Sequence, residues 1–241
     1  GQGHMALGAS VAGANVQAGV AVAGRWASDT NGTLQAPTVA QAGAANYNVQ
    51  VCDADTPSQR WGDYTQTSVD PADDMTMWTF QQYVHTANGY AVRVIQLLAP
   101  PPATPASASP STLQQGATNV NVVVTGTASG ANAYFDPGAG FPNRIAASVS
   151  GSGVTVNSVT VTDATHVTLN LTVAAAAGTG TRNITITNPD GQSATSIGTP
   201  LSIVPCPAPS GATTGAATVC TNSTGNTATA TETGATYAWS I

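Results

Sequence analysis

The chain has 241 residues with 5 basic and 11 acidic side chains, 7% charged in all, and a net charge of −6. An acidic chain without a basic cluster excludes binding to phosphate backbones, so nucleic acid is not among its expected partners. No run of about 20 apolar residues occurs, which excludes membrane insertion by a helix.

The composition also sets the fold class. Lys is absent, Glu232 is the only Glu, and Thr, Val, Ala and Gly dominate, with 25 Gly and 15 Pro to supply turns. Strand-favouring residues without helix formers predict an all-β chain. Disordered chains combine low hydrophobicity with high net charge, whereas 41% of this chain is hydrophobic. Neutral surfaces of Thr, Ser, Asn and Gln are common in secreted bacterial proteins, and a secreted, extracellular or cell-surface location is expected. The ends, at Gly1 and at Ile241 within an apparent strand, fit a piece of a larger protein.

In chain order, residues 1–99 form the first segment and hold three of the four Trp. Its densest stretch is Arg60-Trp61-Gly62-Asp63-Tyr64, followed by Asp70-Pro71-Ala72-Asp73-Asp74 and then Trp78-Thr79-Phe80. Charges are scarce elsewhere, so a cluster between aromatics has a local job. Asp70, Asp73 and Asp74 are candidate calcium ligands, because Ca²⁺ takes several carboxylate and carbonyl oxygens from one compact loop. The plainer alternative is an Asp-Pro turn with the other acids in solvent. Arg60, Trp61, Tyr64 and Trp78 are candidate ligand-binding residues, with a glycan or another surface protein as partner. Alternatively Trp61 and Tyr64 pack between strands while Arg60 and Asp63 pair. Trp78, Phe80 and Tyr83 make either a sugar-stacking strip or, more ordinarily, strand positions facing a core.

A proline-rich spacer at 100–105 follows, Pro100-Pro101-Pro102-Ala103-Thr104-Pro105, expected to be extended. Residues 106–204 then alternate apolar and polar side chains with a period of two, the mark of a strand with one face in a core. His166-Val167-Thr168-Leu169-Asn170-Leu171-Thr172-Val173 shows it best, and Ile184-Thr185-Ile186-Thr187 repeats it. Val167, Leu169, Leu171, Ile184 and Ile186 are the predicted inward positions. Asn188-Pro189-Asp190-Gly191 and Asp163-Ala164-Thr165 are predicted turns, and strands so spaced predict a β-sandwich. Tyr134-Phe135-Asp136-Pro137-Gly138-Ala139-Gly140-Phe141 is predicted to be a projecting loop. Residues 205–241 close the chain. Of three cysteines, Cys206 and Cys220 are the natural disulfide pair in a secreted protein, leaving Cys52 over.

The strands around Val154–Val161 and Leu169–Val173, with Arg182–Thr187 leading into Asn188-Pro189-Asp190-Gly191, resemble an IPT/TIG-type immunoglobulin-like domain over 106–204. That resemblance implies a spacer or adhesion module. Gly3-His4-Met5-Ala6-Leu7-Gly8, Arg60-Trp61-Gly62-Asp63-Tyr64, Asp70-Pro71-Ala72-Asp73-Asp74 and Trp78 are similar to the closing part of a sialidase-like, BNR-type β-propeller. Ser68-Val69-Asp70 begins like a sialidase Asp-box, but no Gly follows in place and Trp78 comes too late. Val219-Cys220-Thr221-Asn222 with Tyr237-Ala238-Trp239 looks like the start of a PKD-like immunoglobulin domain, truncated within 205–241.

No His-Glu-x-x-His, Gly-x-Ser-x-Gly or phosphate-loop pattern occurs, and no pair of carboxylates is marked for glycoside hydrolysis. The expected function is therefore non-enzymatic: extracellular adhesion, spacing or ligand display, with no catalytic residues and no cofactor beyond calcium. The alternatives are an accessory region of a secreted hydrolase, glycosidase or peptidase, and a carbohydrate-binding module.

Overall fold

A computed structural model describes residues 2–51, 58–59 and 61–206. Within them every regular element is a strand, so the protein is all-β, as the composition demands. The chain divides into two compact units, residues 1–100 with 137–144 and residues 101–136 with 145–241.

The first unit contains two three-stranded antiparallel sheets. One has the order β1 (Met5–Gly13), β2 (Val16–Arg25), β3 (Thr38–Gln41); the other has β6 (Gln66–Val69), β7 (Met77–Thr86), β8 (Gly89–Leu97). A two-residue ladder joins β4 (Gln50–Val51) to β5 (Ser58–Gln59). Strands β1 and β2 pack against β7.

The centre of this unit is partly polar. Thr79 and Gln81, on alternate positions of β7, are buried with Val20, Ala21 and Val84, while Phe80 between them is 43% exposed. The aromatic positions of β7 are therefore not its core face, contrary to the ordinary expectation for a Trp-x-Phe strand. Most of the inward polar atoms are paired: Gln81 Nε2 donates to Thr79 Oγ1 at 2.8 Å, Thr67 Oγ1 lies 3.0 Å from Thr79 Oγ1, and Gln66 O accepts from Thr79 at 3.2 Å, while Gln81 Oε1 has no partner among the described residues. Partnering lowers the cost of burying these polar groups. Gly8 of β1 makes room, since a Cβ there would collide with Thr79 Oγ1 and Gln81 Nε2.

The second unit is β-sandwich-like. Its largest sheet has the order β13 (Val154–Asp163), β14 (His166–Val173), β11 (Val120–Thr127), β9 (Thr104–Ser109). Two three-stranded sheets complete it. The first is β12 (Ala146–Val149), β16 (Ile184–Thr187), β17 (Ser193–Thr195). The second is β10 (Thr112–Gln114), β18 (Leu201–Val204), β15 (Gly180–Arg182), where β10 and β18 run parallel. Val167, Leu169, Leu171, Ile184 and Ile186 are all fully buried, the inward phase predicted from the period of two. They share one core with Val122, Val124, Tyr134, Leu201 and Ile203. The register sets Leu169 beside Val122 and Val159, and Leu171 beside Val120 and Val156.

Two expectations change here. The predicted spacer at 100–105 is partly built into this unit: Ala103 belongs to its core, and Thr104 and Pro105 open β9. Proline fits because β9 is an edge strand paired only with β11, and an edge needs hydrogen bonds on one side. The predicted projecting loop starts in the interior, with Tyr134 only 3% exposed. Tyr134 N donates to Ala164 O at 2.8 Å, and Phe135 N donates to Asn188 Oδ1 at 3.2 Å.

The Tyr134 hydroxyl is buried without a hydrogen-bond partner among the described residues, and burial pushes its ionisation well above the ordinary phenol range. An orphaned hydroxyl costs about 1–3 kcal/mol. Tyr134→Phe should therefore stabilise this unit, by about 1 kcal/mol on that scale, seen as slower amide exchange in β11 and β14. Faster exchange would reveal a partner for the hydroxyl.

The β13–β14 turn carries a close contact between a carboxylate and an imidazole. Asp163 Oδ1 accepts from Thr165 N and His166 N at 2.8 and 2.9 Å, and His166 Nδ1 lies 2.9 Å from both carboxylate oxygens. The Thr165 amide first, then His166, hold the Asp163 carboxyl down at about 2. A depressed carboxyl favours the folded form above its ordinary value of 3.8 and loses that preference as pH falls through about 2. NMR titration of the Asp163 carboxyl should give its midpoint near 2; a midpoint at the ordinary value would mean the turn is open.

Candidate functional site

The acidic segment is a corner between β6 and β7. Asp70 Oδ1 accepts from Ala72 N at 2.8 Å, and Oδ2 accepts from the Trp78 indole Nε1 at 2.9 Å. These two donors, the amide first, hold the Asp70 carboxyl below the usual range. Asp73 is 4% exposed. Its Oδ1 accepts from Met75 N and Thr76 N, each at 2.8 Å, and its Oδ2 accepts from Thr76 Oγ1 at 2.6 Å. Asp74 adopts a left-handed φ of 53° and donates its amide to Asp70 O at 3.0 Å.

The three acids predicted to ligate calcium are not brought together. Among the described residues no group of three or more His, Cys, Asp or Glu side chains is placed to hold a metal. Asp70 and Asp73 already spend two and three lone pairs on N–H and O–H donors, which leaves few of the about 6–8 oxygens that Ca²⁺ asks for. Millimolar Ca²⁺ should thus leave the melting temperature unchanged, because only a ligand selective for the folded state raises it. A calcium-dependent rise lost in Asp74→Asn would overturn this.

The aromatics predicted to bind ligand differ in their surroundings. Arg60 lies outside the described residues. Trp61 is half-buried, donates Nε1 to Ser10 Oγ at 3.1 Å, and meets Tyr47 edge-on with ring centroids 5.1 Å apart. Gly62 follows at φ +57°, a conformation that favours glycine, and donates its amide to Gln82 Oε1 at 3.3 Å. Tyr64 is 92% exposed, while the Trp78 indole is tied to Asp70. Cys206 is disulfide-bonded. Its predicted partner Cys220, like Cys52, lies outside the described residues.

A site that sequence reasoning missed lies at one end of the first unit. The start of β1, the end of β2 with the turn after it, the start of β7 and the end of β8 enclose a cleft of about 480 Å³. Its walls include His4, Met5, Arg25, Trp26, Met75 and Met77. His4 Nδ1 accepts the Ala27 N–H at 3.1 Å, so in the neutral ring Nε2 carries the proton. That Nε2 is sealed from water and has no partner among the described residues, and the same holds for Arg25 Nε. Burial lowers the His4 pKa, with Asp29 pulling weakly the other way, which favours the neutral ring. Arg25 Nη2 donates to Asp29 O at 2.7 Å and to Asn31 Oδ1 at 2.6 Å. The Asp29 carboxylate accepts from Trp26 N at 2.9 Å and from Gln35 Nε2 at 3.3 Å. His4 and Arg25 thus line the cleft while each keeps one buried N–H without a partner among the described residues.

No family model matches the chain, and no curated protein matches it.

Proposed function

We propose that this chain is a non-enzymatic extracellular region of a large secreted or surface-attached bacterial protein, serving adhesion, spacing or ligand display. The observation that carries this reading is the succession of two all-β units along one chain, with outward strand positions filled by neutral Thr, Asn and Ser. On β13 and β14, Asn157 Nδ2 donates to Asn170 Oδ1 and Thr172 Oγ1, each at 2.8 Å, and Asn170 Nδ2 donates to Asn121 Oδ1 at 2.7 Å. Such a face is hydrated and self-satisfied without charge, which suits a module that holds others apart. On this reading residues 106–204 are an IPT/TIG-like immunoglobulin-type module, residues 1–99 the end of a sialidase-like propeller, and residues 205–241 the start of a PKD-like domain.

A glycan or another surface protein is the partner on this reading. A carbohydrate-binding module built on Trp61, Tyr64 and Trp78 is the alternative. Antibody against the 241-residue chain should label intact cells of the source bacterium or its culture medium. Recovery of the protein only from the cytosol would end the proposal, as would turnover of glycoside or peptide substrates by the isolated chain.

A further inference from the structure

We propose that Asn31-Gly32 is a self-modifying site, at which Asn31 converts to aspartate or isoaspartate through a cyclic imide and Arg25 accelerates the step. This does not rest on the extracellular reading.

Asparagine is a thermally labile residue. Its conversion begins when the amide nitrogen of the next residue attacks the side-chain carbonyl carbon, and a glycine in that place has no Cβ to obstruct the approach. The chain has two such pairs, Asn31-Gly32 and Asn88-Gly89, and the fold treats them oppositely. Asn31 and Gly32 are the central residues of an exposed turn, closed by Thr33 N donating to Thr30 O at 3.2 Å. Gly32 sits at φ +82°, with no atom within 4 Å of where a Cβ would stand, so the turn is open to water on that side. Arg25 Nη2 donates to Asn31 Oδ1 at 2.6 Å and to Asp29 O at 2.7 Å. The backbone oxygen anchors the guanidinium, and the other N–H points at the oxygen that takes up negative charge when Gly32 N bonds to Asn31 Cγ. A charged donor placed on a developing oxyanion lowers the barrier to its formation.

Asn88 has the same neighbour in the opposite setting. Its Oδ1 accepts from Asn48 N at 2.7 Å, its own amide donates to Asn46 O at 3.0 Å, and its φ is 56°. These main-chain partners are fixed by the fold and cannot follow a turning side chain as a long arginine can. The Asn88 carbonyl is therefore held away from Gly89 N.

The step balances with water as its one co-reactant. Gly32 N gives up its proton and bonds to Asn31 Cγ, the Cγ–Nδ2 bond breaks, and Nδ2 leaves with that proton as ammonia. Water then opens the imide at either carbonyl, which leaves a new carboxylate in the turn that Arg25 contacts.

The test follows the full chain on standing at mildly alkaline pH. Cleavage after Arg60 and Arg93 puts Asn31 and Asn88 on separate peptides, so mass spectrometry reads each conversion by itself. Asn31 should convert faster in the folded chain than in the same chain in denaturing urea, and Asn88 more slowly. Arg25→Met keeps length without charge; it should slow Asn31 by about tenfold, the worth of one charge-assisted hydrogen bond at an exposed site, and leave Asn88 unchanged. Should the variant fail to fold, the folded-against-unfolded comparison on the unaltered chain still decides. Conversion of Asn31 no faster in the folded chain would overturn the proposal. So would a folded Arg25→Met chain that converts at the unaltered rate or faster, because Arg25 would then be a clamp on the carbonyl and not an aid to attack.

Discussion

Leu169→Ala should lower the unfolding free energy of the second unit by about 2–5 kcal/mol, the range for truncating a fully buried leucine in a packed core. Leu169 is fully buried on β14, between Val122 of β11 and Val159 of β13. Its removal would leave a cavity that strands on both sides hold open. Thr168→Ala, one residue away on the outward phase, should change stability by less than about 0.5 kcal/mol. Because the chain has two compact units, a single melting curve would mix their transitions. Amide exchange on β11, β13 and β14 reads the second unit directly. Equal losses for the two variants would mean the strand faces the core with the opposite phase.

Asp73→Ala should destabilise the first unit by about 3–5 kcal/mol, since it strands three donors in a buried corner at roughly 1–3 kcal/mol each, partly offset by relaxation. Those donors are Met75 N, Thr76 N and Thr76 Oγ1. Met75, Thr76 and Asp73 are each 4% exposed or less, so water does not replace the lost acceptor. Asp73→Asn keeps the Oδ1 acceptor for the two amides, and the Thr76 hydroxyl can turn to accept from the new amide. It should cost no more than about 1.5 kcal/mol, an ordinary net hydrogen bond. Tryptophan fluorescence in urea reports this transition, with Trp61 and Trp78 both in the first unit. Equal, large losses for Asn and Ala would show that charge, and not the acceptor geometry, matters at this corner.

The sequence alone determined the fold class and the second unit's strand faces. Val167, Leu169, Leu171 and Val173 alternate with Thr and Asn because one face of β14 meets a core and the other does not, and that contrast is written residue by residue. The turns at Asp163–Thr165 and Asn188–Gly191 were legible for the same local reason: their hydrogen bonds close within three or four residues. The acidic corner was legible in part. Asp70 and Asp73 stood out, but whether their oxygens faced a cation or nearby N–H groups depended on how the chain bends back from β6 to β7.

Tertiary structure decided the phase of β7, where Thr79 and Gln81 turn inward because Thr67 and a bare Gly8 accommodate them from other strands. It also decided the cleft. His4, Arg25, Met75 and Leu98 come from four separate stretches of sequence, and none is distinctive where it stands. Periodicity records whether a residue faces a core, whereas a site depends on which distant residues the sheets set side by side, and that is a matter of strand pairing and packing.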